Sequence, residues 1–171
     1  MSQAVFKAAM AALPLISVDW VLIDPAGAVL CGLRLNAPAR GAWFTPGGRV
    51  HKGEALAAAL LRVAMVELGA SRTLASNLIE RAQLMGAWDH FYADSAFSEA
   101  AATHYVNLPY WAPLTWSEVE ALMPALPVGE QHSAWRWVPW SANAGELHEH
   151  VAPYLAWVGK AFEAGAKGSA A

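Results

Sequence analysis

One stretch, from Trp43 to Ala70, constrains the fold more than any other part of the chain. It opens with a short aromatic strand that ends in Pro46-Gly47-Gly48, and consecutive glycines let a backbone approach a ligand closely. A segment rich in Ala and Leu follows from about Ala55 to Leu68, and both residues are good helix formers. Gly69 ends it, as glycine commonly ends a helix. The stretch therefore predicts a strand, a glycine turn and a helix.

Five residues of this stretch have the spacing of the Nudix box, G-x5-E-x7-R-E-U-x-E-E-x-G-U, in which U is a bulky aliphatic residue. They are Gly48, Glu54, Arg62, Glu67 and Gly69. Because chance agreement over so long a spacing is improbable, the chain resembles the Nudix hydrolase superfamily. The resemblance implies a Nudix fold.

Two carboxylates of that box are missing. The box places carboxylates at Val63, Val66 and Glu67, which at i, i+3 and i+4 share one face of a helix. In Nudix enzymes this face binds several divalent metal ions, which activate water beside phosphorus. Only Glu67 remains, and one cation on it is reasonable because Mg²⁺ needs few protein carboxylates when phosphates and waters complete its shell. We expect one Mg²⁺ ion per subunit, with Mn²⁺ as an alternative.

Two hypotheses follow from the missing carboxylates. Either the helix has lost catalysis and the domain only binds a nucleotide, or water is activated elsewhere while the metal ion neutralises a leaving pyrophosphate. The second hypothesis predicts a separate base and several cationic groups. His132 is the candidate base, and it follows Gln131 in a loop that we expect to be exposed. The cationic candidates are Arg34, Arg49 and Arg62.

A closer resemblance runs from about Phe6 to Trp137. Its most specific parts are the altered box and Glu130-Gln131-His132, and the other matching segments are Ser17 to Asp19, Gly32 to Arg34, Gly41 to Phe44, Pro46 to Val50, Trp88 to Tyr92 and Thr103 to Val106. On these segments the chain is similar to the GDP-mannose mannosyl hydrolase branch of the superfamily. That resemblance implies an α/β/α sandwich around a mixed sheet, a homodimer, and release of GDP and free sugar by inverting attack at the anomeric carbon.

The same resemblance implies roles for individual residues. Gly47 through its carbonyl, Glu67 and Gln131 would bind Mg²⁺, and His132 would be the general base. Arg34 and Arg49 would stabilise the departing GDP. The substrate contacts would be Asp19, Arg34, His90 and Tyr105. Arg62 is open between a catalytic role and a structural role that braces the helix against the preceding loop.

Two other functions stay open. One is a pyrophosphatase that splits the P–O–P bond of a nucleoside-diphosphate sugar, which the two valines argue against. The other is a non-catalytic nucleotide-binding module, which the retained metal-ligand, base and arginine candidates argue against. The chain departs from the family at Ala37, where a basic residue is usual, and across Leu114 to Gly129, which is longer than expected. These departures leave the preferred base and sugar open.

The composition limits the kinds of partner that the protein can bind. A net charge of −3 and a pI of about 6.0 give no basic surface for nucleic acid. Hydrophobic residues make up 56% of the chain and nine residues are Trp, an excess that favours a dimer interface and an aromatic pocket. No apolar run reaches the roughly 18 residues of a membrane span. Cys31 is the only cysteine, so we expect a buried thiol in a reducing compartment, the cytoplasm.

Hydrophobic patterning predicts the remaining elements. We expect strands at 15–23, 28–35, 84–92, 103–111 and 134–138, and helices at 4–13, from Thr115, and at 147–163 with a bend at Pro153. Residues 71–80 are expected to be a linker with room for a short helical turn, and residues 93–102 a mobile loop. His148 and His150 should lie at the surface or an interface. The pattern predicts a single α/β (α+β) domain over residues 1–165 and a disordered tail over residues 166–171.

Overall fold

A computed structural model of the chain describes residues 5, 8, 11–93, 102–142, 145 and 147–168. The strands are β1 (Leu15–Ile23), β2 (Ala28–Arg34), β3 (Trp43–Phe44), β4 (Gly47–Arg49), β5 (Gln83–Leu84), β6 (Trp88–Tyr92), β7 (Thr103–Pro113) and β8 (His132–Pro139). The helices are α1 (Leu56–Glu67), α2 (Arg72–Arg81), α3 (Trp116–Leu122) and α4 (Ala152–Gly168), and a 3₁₀ turn spans Met123–Ala125. In these residues no helix has the length and apolar character needed to cross a bilayer.

The strands form one mixed sheet, with β1 near its centre. β1 pairs in parallel with β7 along its whole length and in antiparallel with β4, where Asp19 lies opposite Gly47. β2 pairs with β3 and, in antiparallel, with β8, while β5 and β6 both pair with β7. Chain segments from both ends of the sequence therefore meet at β1.

Side chains alternate between the two faces of β1 and create two cores. Trp20 and Leu22 face α1 and α2 in one core, and the Trp20 indole N–H donates to the Leu60 carbonyl at 3.0 Å. Val21 and Ile23 face α4 in the other core, together with Cys31. Helices thus cover both faces of the sheet, and the predicted α/β class and sandwich architecture are confirmed. Asp19 lies two residues before Val21 and therefore faces the same side of β1. Its carboxylate points toward α4.

Cys31 is fully buried, as expected. Burial raises the pKa of its thiol to about 12, against a smaller opposing effect of the Arg136 charge. The thiol is therefore protonated at neutral pH, and its role is packing.

Two predicted elements differ from the structure. Residues 71–80 were expected to be a linker with room for a short helical turn, but a helix of 10 residues, α2, forms there. Ser71 caps it by accepting from the Leu74 N–H at 3.2 Å. The strand expected at 84–92 is divided into β5 and β6. The Met85 N–H still donates to the Pro109 carbonyl of β7 at 3.0 Å, but Pro109 has no N–H to return a bond, and the regular pairing stops there. The capping box of Thr115 and Glu118 is present at the start of α3, as expected.

The chain ends also refine the predictions. The last helix begins at Ala152, so Pro153 lies in its first turn, where proline is tolerated, and does not bend it. Ala11 and Ala12 are helical and precede Pro14, but half of the predicted helix at 4–13 lies outside the described residues. Residues 94–101 of the predicted loop and 169–171 of the predicted tail also lie outside them. The homodimer and the domain bounds stay predictions.

The three box positions on α1 have different surroundings. Val63 is 0% exposed in the α1 core, and a Cβ on Gly48 would lie 3.2 Å from its side chain. Val66 is 62% exposed. Glu67 lies between these extremes, half-buried at the last turn of the helix. The face that carries three carboxylates in the full box therefore runs here from the core to solvent.

This gradient predicts different outcomes for restoring each carboxylate. Val63→Glu places an unpaired charge in the core and is expected to lower the free energy of unfolding by about 3 kcal/mol. Val66→Glu, the matched control, changes an exposed residue and should shift it by no more than about 0.5 kcal/mol. Urea denaturation at neutral pH measures both. Equal stability of the two variants would contradict the placement of Val63 in the core.

Candidate active site

A small cleft opens where β1, β4 and β6 meet on the α4 side of the sheet. Its lining includes six of the predicted site residues: Asp19, Arg34, Gly47, Arg49, His90 and Tyr105. The cavity volume is about 90 Å³. Clefts that bury a whole drug-sized ligand are usually larger, roughly 300–1,000 Å³. A nucleotide-sized ligand would therefore place only one end in this cleft.

Asp19 is the most deeply buried acid of the cleft, at 4% exposure. Its Oδ2 accepts hydrogen bonds from Tyr154 at 2.9 Å, Asn107 at 3.0 Å and Thr45 at 3.4 Å. Burial raises the pKa of Asp19 to about 6, although these bonds and the Arg34 charge lower it. The carboxyl group therefore titrates close to neutral pH. Gly47 is required beside it, because a Cβ there would overlap Asp19 Oδ1.

His90 lies beside Asp19 in an aromatic cluster. Burial, with smaller effects of His150 and His148, lowers the pKa of His90 to about 3, so its ring is neutral. His150 stacks on His90 with ring centroids 4.1 Å apart, and His148 packs on Phe44 at 5.2 Å. His148 and His150, which were predicted to lie at the surface or an interface, both keep part of their surface exposed, and the interface stays a prediction. Both are partly buried, because the segment before α4 folds back over the cleft.

Arg34 and Arg49 place positive charge at the cleft. The Arg34 Nε donates to the Pro38 carbonyl at 2.9 Å, which holds the guanidinium against the loop after β2. Arg49 lies in β4, next to the glycine turn. Burial raises the pKa of the Tyr105 hydroxyl, while the charges of Arg49 and Arg34 lower it. The cleft can therefore accept an anionic group at Arg34 and Arg49 and a polar group at Asp19.

Glu67, Gln131 and His132 do not line this cleft. Arg34 connects the two groups of residues, because its charge lowers the pKa of Glu67 and of His132 as well as that of Asp19. The structure thus brings the predicted substrate contacts together with Gly47, whereas the predicted base and the other two predicted metal ligands lie outside the cleft.

Glu67 has the properties of a metal ligand. Its Oε2 is buried and has no hydrogen-bond partner among the described residues. Burial raises the pKa of Glu67, Arg34 and Arg62 lower it, and Glu130 raises it. A lone hard oxygen of this kind suits Mg²⁺. The described residues contain no group of three or more His, Cys, Asp or Glu that could hold a metal ion. A cation on Glu67 would therefore need amide, backbone or substrate oxygens as further ligands.

Gln131 is the amide that the family resemblance implies as a ligand. It is exposed, and its Oε1 accepts from the Asn36 side-chain amide at 3.4 Å. Its backbone carbonyl accepts from the Leu35 N–H at 2.9 Å, which ties this loop to the end of β2. The side-chain oxygen is therefore accessible and only weakly bonded, as a metal ligand would need to be.

His132 is not in an exposed loop, so that prediction is wrong. It is the first residue of β8, and it is 1% exposed. Its ring fills the space beside Gly32, where a Cβ would overlap it, and Trp135 covers it with ring centroids 4.3 Å apart. Nε2 is buried and has no hydrogen-bond partner among the described residues. Burial and the Arg34 charge lower the pKa of His132 to about 4, so the ring is neutral at pH 7.

Arg62 is a brace. Its Nε and Nη2 donate to the two carboxylate oxygens of Glu54 at 2.8 Å, and Nη2 also donates to the Arg49 carbonyl at 2.8 Å. Glu54 in turn accepts from the His51 N–H at 2.8 Å. The bond from Arg62 is the main cause that lowers the pKa of Glu54 to about 2. Of the two roles open for Arg62, the geometry favours the structural one, which holds the loop between β4 and α1.

Sequence reasoning missed two residues that hold Asp19 from behind the cleft, Asn107 and Tyr154. Asn107 lies in the middle of a predicted strand, and its contact with Asp19 spans 88 positions. Tyr154 lies in the last helix, 135 positions from Asp19. No local motif marks either residue. A buried acid in the first strand was the only signal, because such a group requires partners.

Together the fold and the cleft define a sandwich with a mixed sheet, whose first core helix follows a glycine turn and bears one inward carboxylate. The model of the NUDIX domain family matches residues 13–158. The chain therefore belongs to the Nudix family of hydrolases.

Relatives and solved structures agree with this assignment. The low-salt glycan biosynthesis protein Agl8 of Haloferax volcanii is 46% identical over 115 residues, which are 67% of this chain and 69% of Agl8. The MutT NUDIX hydrolase of Burkholderia pseudomallei superimposes with a TM-score of 0.62 at 25% identity, over 85% of this chain and 98% of that one. The NUDIX domain of Shewanella oneidensis NrtR, solved with ADP ribose, shares the fold with a TM-score of 0.62 at 18% identity, over 95% and 99% of the two chains.

The brace predicts energetic coupling between Arg62 and Glu54. In a double-mutant cycle of Arg62→Met and Glu54→Gln, the coupling free energy of unfolding is expected to be about 0.5 to 1 kcal/mol, the upper range for a partly exposed pair. Urea denaturation of the four proteins measures it. A coupling near zero, together with an activity loss confined to the Arg62 variant, would contradict the brace and favour contact with substrate.

Proposed function

We propose that this protein hydrolyses GDP-mannose, or a related nucleotide sugar, to GDP and the free sugar. The observation that carries the proposal is that α1 keeps one of the three carboxylates of the Nudix box. Glu67 has a buried Oε2 with no partner among the described residues, whereas Val63 is enclosed in the core and Val66 faces solvent. One carboxylate is too few for the metal cluster that directs water to phosphorus. The likeness to a relative named for glycan biosynthesis supports a sugar-containing substrate.

Departure of GDP is the step that the cationic residues assist. Negative charge develops on the diphosphate as the bond to the sugar breaks, and cations that are already in place stabilise that charge best. Arg34 and Arg49 line the cleft and are held by the β2 loop and by β4. When bound by Glu67, the Gly47 carbonyl and Gln131, Mg²⁺ would supply further neutralisation of the diphosphate.

Binding of the sugar falls to the uncharged and acidic side chains of the cleft. Asp19, His90 and Tyr105 line it and offer hydrogen-bond donors and acceptors to sugar hydroxyls. The volume of about 90 Å³ admits one end of the substrate.

His132 is the proposed general base. Its ring is neutral at pH 7, the form that can accept a proton from water, and inversion at an anomeric carbon needs one base on the face opposite the leaving group. The ring is enclosed between Gly32 and Trp135. Its action therefore requires the residues that enclose the ring to move when substrate binds.

Hydrolysis of GDP-mannose in ¹⁸O-water with Mg²⁺ tests the proposal. Attack at the anomeric carbon puts the label in free mannose, which mass spectrometry detects, and NMR should show the inverted anomer first. Label in a phosphate product would instead identify a pyrophosphatase. No turnover across several nucleotide sugars would identify a binding module. Glu67→Gln, purified in the same way, is the matched control and should lose the response to Mg²⁺.

The raised pKa of Asp19 predicts the pH dependence of kcat/KM. If the Asp19 carboxylate binds the sugar in its ionised form, activity is lost as pH falls through about 6, because protonation removes the acceptor. Titration of His132 alone would place the acidic limb near pH 4. Residual activity of Asp19→Asn should therefore show its acidic limb near pH 4. If the acidic limb of the wild-type profile lies near pH 4, ionised Asp19 is not needed for the reaction.

A further inference from the structure

Tyr154 links the last helix to the floor of the cleft. It lies in the first turn of α4, its side chain is fully buried, and its ring stacks on Trp88 with centroids 5.0 Å apart. Its hydroxyl is 2.9 Å from Asp19 Oδ2. The helix therefore holds a single polar atom against the buried carboxylate.

Asn107 fixes the direction of this hydrogen bond. Its Nδ2 donates to Asp19 Oδ2 at 3.0 Å and to the Tyr154 oxygen at 2.5 Å, while its Oδ1 accepts from the Ser17 hydroxyl at 2.6 Å. An ionised carboxylate can only accept, so the amide nitrogen must face Asp19. The Tyr154 oxygen then accepts from Asn107, and its own proton goes to Asp19.

Matching donors with acceptors in the same way assigns the tautomer of His90. Its Nε2 lies 3.2 Å from the Tyr154 oxygen, and its Nδ1 lies 3.4 Å from the Tyr92 hydroxyl. Because the proton of Tyr154 is already given to Asp19, Nε2 must carry the hydrogen and donate to Tyr154. His90 Nδ1 then accepts from Tyr92. The Tyr154 oxygen thus accepts two bonds and donates one, and its bonding capacity is filled.

These bonds leave the two oxygens of Asp19 in different positions. Oδ2 accepts hydrogen bonds from Tyr154 and Asn107 and a longer one, at 3.4 Å, from Thr45. Oδ1 lies over Gly47, where the absence of a side chain leaves it room. Asp19 and Gly47 both line the cleft.

We propose that Tyr154 and Asn107 are positioning residues for Asp19, which hold Oδ2 so that Oδ1 faces the cleft as the acceptor for a hydroxyl of the substrate. The identity of that hydroxyl as part of a sugar rests on the proposed function. The orientation of the carboxylate rests on the hydrogen bonds alone.

A kinetic cycle separates positioning from a structural role. Tyr154→Phe removes one oxygen and keeps the ring on Trp88. It is expected to lower kcat/KM for GDP-mannose about tenfold, the loss typical of one hydrogen bond to a charged group. In the Asp19→Ala background the same change should have less than about a twofold effect. An equal loss in both backgrounds would overturn the proposal, because a structural role does not depend on Asp19.

Tyr110→Phe is the matched control for this cycle. Tyr110 lies on β7 and packs against the α1 core, away from the cleft, so removal of its hydroxyl should leave kcat/KM at the wild-type value. A tenfold loss in this variant as well would show that the cycle reports on general packing, and would overturn the assignment to Tyr154.

A crystal structure without substrate tests the orientation independently of the reaction. In Tyr154→Phe/Asn107→Leu, which lacks both donors, the Asp19 carboxylate is expected to turn away from Gly47. An unchanged carboxylate would overturn the proposal. If the wild-type protein leaves GDP-mannose intact while Asp19 turns in the variant, the proposed function fails and the positioning role stands. If the double variant does not fold, Asn107→Leu alone is expected to show a second Asp19 conformer, and a single unchanged conformer overturns the proposal.

Discussion

The burial of the Asp19 carboxylate is the constraint on which the cleft depends. A charge in the face of a sheet carries a large desolvation penalty unless donors surround it. Here the donors come from the segment after β3, from β7 and from α4, through Thr45, Asn107 and Tyr154. β1 can meet all three because it pairs with both β4 and β7. The strand that organises the sheet therefore also organises the site, and any shift in its register would separate the acid from its donors.

Two glycines make room for side chains of the site because they have no side chain of their own. At Gly47 the missing side chain makes room for Asp19 Oδ1, and at Gly32 it makes room for the ring of His132. The two glycines lie on different strands and serve opposite faces of the sheet. An added methyl group at either position would meet a buried polar group whose location the sheet already fixes. Close packing leaves such groups little freedom to move aside.

The sequence predicted what depends on local spacing. The glycine turn, α1 and the capping box of α3 could be found because their signals lie within a few turns of chain. The role of Tyr154 could not, because its contact depends on how α4 packs on a strand 135 positions away. The enclosure of His132 was also hidden, since it depends on Gly32 across a strand pair. The full length of α2 was missed, although Ser71 caps it and Ala75 and Leu78 face the core.

The charge of Arg34 acts on residues on both faces of the sheet. Its charge lowers the pKa of Asp19 on the α4 side and the pKa of Glu67 and His132 on the α1 side. An anion bound at Arg34 would offset that charge and make the ionised form of Glu67 less favourable. A cation beside Glu67 reverses this effect, because it stabilises the carboxylate and the anion together. The electrostatics of the site therefore favour a ligand that brings negative charge and a divalent cation at the same time.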